Sequence, residues 1–75
     1  MIELRFAREL YLGTAVDEAV KAFGELAEFE LKEEPEAWVV VLRAKDERRE
    51  KKIAGELGNF ALGITIQKQN EETAV

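Results

Sequence analysis

The sequence predicts one small α+β domain with the element order β-α-β-β-α. Three observations carry that prediction. Apolar and charged residues alternate over residues 2–6 and again over 28–32. An apolar stripe at helical spacing lies between those two segments. A β-branched run, Val39, Val40 and Val41, follows the chain's single proline. The third strand is hydrophobic on both faces, so it belongs in the middle. That placement gives an antiparallel sheet of order 1-3-2 with both helices on one face. The arrangement is a split β-α-β sandwich, most of a ferredoxin-like fold, and leaves the other sheet face open.

In the first strand Ile2, Leu4 and Phe6 share a face, with Glu3 and Arg5 between them. A connector over residues 7–13 carries Leu10, Tyr11 and Leu12. Thr14 then stands where a helix N-cap is expected, with Asp17 three residues on and Glu18 beside it. Val16, Ala19, Val20, Phe23, Leu26 and Ala27 fall at i, i+3, i+4, i+7, i+10 and i+11, which predicts a first helix of about four turns.

Phe29 and Leu31 mark the second strand, and the segment 33–36 with Pro35 turns the chain. The third strand is expected over residues 38–45, with Trp38, Val40, Leu42 and Ala44 on one face. Asp46 opens a charged stretch in which acids precede bases, as a helix dipole favours. Ile53, Leu57, Phe60, Ala61 and Ile64 then define a second amphipathic helix. Gly55, Gly58 and Gly63 weaken it by about 1 kcal/mol each against alanine. If Gly63 ends this helix, residues 64–67 become a fourth, edge strand. The domain is expected over residues 1–68, and residues 69–75 read as a polar, disordered tail.

Composition narrows the function. The 75 residues include no histidine, no cysteine and no serine. No thiolate nucleophile, imidazole base, seryl triad or cysteine–histidine zinc site can be assembled from such a chain. No cofactor or metal is expected, and the chain is read as a non-enzyme. A hydrophobic share of 47% and a charged share of 36% fit a folded globule. No apolar run approaches the ~20 residues that span a bilayer, so no membrane is expected. The absence of cysteine in so small a domain points to the cytoplasm. A formal charge of -5 disfavours nucleic acid as the main partner.

The carboxylates Glu28, Glu30, Glu33, Glu34 and Glu36 read as a charged strand face that discourages edge pairing, rather than as a cation site. Residues 43–52 hold six of the eleven cations and three acids, a local +3 in a chain whose remainder is -8. Arg43, Arg48, Arg49, Lys51 and Lys52 are therefore the candidate anion-binding residues. A solvent-facing helix start laced with ion pairs is the plainer account of them. Trp38 and Tyr11 are candidate partner-binding aromatics, set against a core role for each.

Tyr11 ahead of the helix, the opening Ala15-Val16-Asp17-Glu18-Ala19-Val20 with Phe23, the strand pair around Pro35 and the segment Gly55-Glu56-Leu57-Gly58-Asn59-Phe60-Ala61-Leu62 form a pattern. The last segment looks like Glu-Phe-x-Asn-x-x-Leu. Together these motifs resemble the HxsD-like family, the small D-component of the His-Xaa-Ser peptide-modification system. The resemblance covers most of residues 2–66. It implies an accessory role beside a radical-SAM peptide-modifying enzyme, carries no catalytic residue, and marks Glu56 and Asn59 as candidate partner-binding positions. A fainter similarity is to the small subunit of the KEOPS tRNA-modification complex.

The functional expectation is thus a non-catalytic module that binds a protein or peptide, or a second copy of itself as a homodimer. The alternative is an RNA-binding or RNA-modification accessory subunit that uses the basic segment 43–52.

Overall fold

The structure is a computed structural model that describes residues 1–73, with side chains described through Asn70. Strand β1 (Ile2–Ala7), helix α1 (Gly13–Ala22), strands β2 (Glu28–Glu33) and β3 (Ala37–Arg43) and helix α2 (Glu47–Thr73) follow in that order. The sheet has strand order β1-β3-β2 and is antiparallel throughout. The α+β architecture therefore matches the one expected.

Register explains the two faces. Leu4 and Leu31 flank Val40, Ile2 and Phe29 flank Leu42, and Phe6 and Glu33 flank Trp38. This apolar face receives both helices. Phe6, Val16, Ala19, Val40, Leu57 and Ala61 form the buried centre, with Leu4, Tyr11, Val20, Phe23, Phe29, Leu31 and Trp38 packed around it.

The opposite face carries Glu3, Arg5, Glu28, Glu30, Lys32 and Arg43 around the valines of β3. Arg5 pairs with Glu3 and Glu34, and Lys32 with Glu30. Val39 stands between Arg5 and Lys32 and is only 2% exposed, because long charged side chains shield apolar surface with their methylene stems. The helix-free face is thus an ion-paired surface, not an apolar platform.

Two expectations are corrected. Helix α1 ends at Ala22, not at Ala27. The N–H of Gly24 donates to the carbonyl of Lys21, and that of Leu26 to the carbonyl of Phe23, forming a turn. The chain needs these residues to reverse direction and bring Glu28 opposite Arg43, so Leu26 leaves the apolar stripe and is 56% exposed. Thr14 is not the N-cap of α1. Leu12 holds that position with extended backbone and no side-chain cap, and Thr14 lies in the first turn.

Residues 64–67, for which the sequence leaves helix and edge strand both open, are helix, and Gly63 does not end α2. A 27-residue helix is about 40 Å long at ~1.5 Å per residue, and it sets the 44 Å long axis of the molecule. It takes in residues 69–73 of the polar tail, and residues 74–75 lie outside those described. No described helix is long and apolar enough to cross a membrane.

Candidate functional site

Helix α2 has two faces of opposite character. Ile53, Leu57, Ala61 and Thr65, at i, i+4, i+8 and i+12, are buried against the sheet and α1. Gly55, Asn59, Leu62, Gly63 and Ile66 lie roughly opposite, since a step of two residues turns the helix by about 200°. There Leu62 is 41% and Ile66 49% exposed. A Cβ placed on Gly55, Gly58 or Gly63 would meet nothing within 4 Å. None of these glycines serves a close contact inside the chain.

Glu56 and Asn59 are both exposed on α2, one turn apart. Glu56 borders a cleft with Arg49, Lys52, Ile53, Glu25 and the exposed Leu26. The Asn59 side chain makes no hydrogen bond among the described residues, so it does not act through a helix-packing bond.

Arg48, Arg49, Lys51 and Lys52 occupy the first two turns of α2. The side-chain carboxylate of Asp46 caps the helix by accepting from the N–H of Arg49 at 2.8 Å. No ion pair among the described residues engages these four cations, so the lattice of pairs expected for this segment does not form. Arg43, at the end of β3, contacts Sδ of Met1 at 3.4 Å.

Glu50 departs from its neighbours. It is 4% exposed, accepts from the Met1 ammonium at 2.8 Å through one oxygen, and accepts from the N–H of Ala44 at 3.0 Å through the other. The bond to the ammonium, together with the backbone bond, holds its carboxyl below the usual range, against the opposing effect of burial. Sequence reasoning folded Glu50 into the charged stretch. Its i, i+3 and i+7 relation to Ile53 and Leu57 was the signal that it faces inward.

Tyr11 and Trp38 are brought together at the other end of the sheet. Trp38 Nε1–H donates to the carbonyl of Tyr11 at 3.1 Å, and the Arg8 guanidinium lies 3.9 Å from the centre of the indole. The Tyr11 ring meets Phe6 edge-on at 4.9 Å. A Cβ on Gly13 would stand 2.7 Å from Trp38 Cζ2, so only glycine admits the indole at this distance. Both aromatics are half-buried joints between the connector and β3, and neither lines the cleft that Glu56 borders.

No group of three or more metal-ligating side chains occurs among the described residues. Comparison of the chain with protein-family models, with curated proteins and with solved structures finds no match in any of the three.

Proposed function

We propose that this chain is a non-catalytic interaction module that docks a protein or peptide through the outer face of α2. One observation carries the reading. Two exposed glycines, Gly55 and Gly63, lie on the outer face of a long helix beside exposed Leu62 and Ile66. Each glycine disfavours the helix by about 1 kcal/mol relative to alanine, and no contact within the chain offsets that. A second backbone lying against the helix would gain the close approach that a missing Cβ allows.

The chemistry of the partner follows from the same face. Arg48, Lys51 and Lys52 precede the glycine-bearing stretch, so the docked segment carries carboxylates at one end and small or apolar residues at the other. Glu56 and Asn59 sit between the two zones. The HxsD-like resemblance would make this docking the task of an accessory component of a peptide-modification system.

A photo-crosslinking residue, p-benzoylphenylalanine, placed at Ile66 in the native cell tests the reading. An adduct is expected from Ile66 and not from Lys32 on the ion-paired sheet face. An adduct of twice the chain's mass identifies a homodimer, and a larger one a different partner. Absence of any adduct from Ile66 sinks the proposal.

The unpaired cations support a second reading, RNA binding through Arg43, Arg48, Arg49, Lys51 and Lys52. Such binding is salt-dependent, and labelled single-stranded RNA that fails to shift at ~50 mM salt ends that reading.

A further inference from the structure

We propose that the groove between the start of α1 and the β2–β3 hairpin binds a peptide segment that carries an arginine beside an apolar residue. The site is separate from the outer face of α2 and stands or falls independently of it. The groove has a volume of about 510 Å³. Its apolar surface comes from Leu12, Leu31 and the Trp38 indole. Its charged groups are Asp17 and Glu33, and no lysine or arginine lines it.

That lining selects the ligand. Two carboxylates with no cation between them repel an acidic group and attract a basic one. Glu33 makes no ion pair among the described residues. Asp17 pairs with Lys21 at 2.9 Å, but Lys21 is largely exposed, and such surface pairs contribute only about 0–1 kcal/mol and yield readily to a competing cation. The planar guanidinium of an arginine suits carboxylates better than a lysine ammonium does. Its methylene stem, and a neighbouring apolar side chain, match the leucines and the indole.

The groove is also held in shape before any ligand arrives. The indole is fixed by its bond to the Tyr11 carbonyl and by Arg8 across its ring. The first turn of α1 has no side-chain cap, and the N–H groups of Gly13 and Thr14 make no hydrogen bond among the described residues. A main-chain carbonyl of the bound peptide can accept from them. A ligand with a cationic side chain and a peptide carbonyl thus satisfies both the carboxylates and the free donors.

Trp38 is the only tryptophan, so its emission reports on this groove. The whole chain is titrated at low salt with acetylated, amidated leucyl-arginyl-leucine and with the same peptide carrying citrulline, which keeps the shape and removes the charge. A saturable change in emission is expected with the arginine peptide, and binding weaker by about tenfold or more with citrulline. The double substitution Asp17→Asn, Glu33→Gln should weaken the arginine peptide by a similar factor with an unchanged circular dichroism spectrum. Ile66→Asp should leave it unchanged. Equal binding of the two peptides, no saturation by ~10 mM, or full affinity in the double variant overturns the proposal.

Discussion

The backbone N–H of Leu12 donates to the side-chain oxygen of Thr65, 53 residues away, at 3.3 Å. Leu12 is the N-cap of α1 and has no side-chain cap of its own, so a threonine from α2 takes up a donor at the start of the shorter helix. Thr65 is fully buried, and its hydroxyl would otherwise lack a partner in the core.

Thr65→Val keeps the shape and removes the acceptor. It should destabilise the fold by about 1 kcal/mol, as typical for one lost hydrogen bond, read as a lower urea midpoint with an unchanged slope. Thr65→Ser keeps the acceptor but deletes a buried methyl, so it too should lose about 1 kcal/mol. A neutral Thr65→Val would show that the bond contributes nothing.

The glycines should respond to alanine in opposite directions. Gly13→Ala forces a Cβ into Trp38 and is expected to lose about 1–3 kcal/mol by overpacking. Gly55→Ala and Gly63→Ala meet open space and should each add about 0.5–1 kcal/mol to the stability of the isolated chain. Thermal unfolding of the three single variants checks the pattern, and a destabilised Gly55→Ala contradicts it.

Stability should fall in acid partly through Glu50. Its folded-state carboxyl is held below the ordinary range, so its contribution is fully present above the unfolded value and is lost as pH drops through the depressed one. Glu34, lowered by its bond to Arg5, adds in the same direction. Urea unfolding across pH 2–7 should give a flatter acid limb for Glu50→Gln than for the parent. Identical slopes would remove Glu50 from the account.

Trp38→Phe removes the N–H that reaches Tyr11 and weakens the stacking of Arg8 while keeping most of the apolar area. A loss of about 1–2 kcal/mol is expected. Amide exchange in the connector, at Leu10 and Tyr11, should accelerate more than in α2. Uniform acceleration would mean that Trp38 acts only as core volume.

Much of this protein was legible in its sequence because periodicity reports burial directly. The alternation in Ile2, Leu4 and Phe6, the two-faced β3 and the stripe Ile53, Leu57, Ala61 were enough to order the sheet and seat both helices on one face. The tertiary structure decided where elements stop and what their outward faces hold. Periodicity carried α1 on to Ala27, but strand pairing of Glu28 with Arg43 claimed those residues for a turn. Propensity left open whether α2 ends at Gly63, and burial of Leu57, Ala61 and Thr65 on one side outweighs a single glycine's penalty. The Tyr11–Trp38 bond, the Leu12–Thr65 bond and the two carboxylates around the indole join residues that local pattern keeps apart. Local sequence encodes which side of an element is apolar, whereas only the packed chain determines which distant polar groups meet.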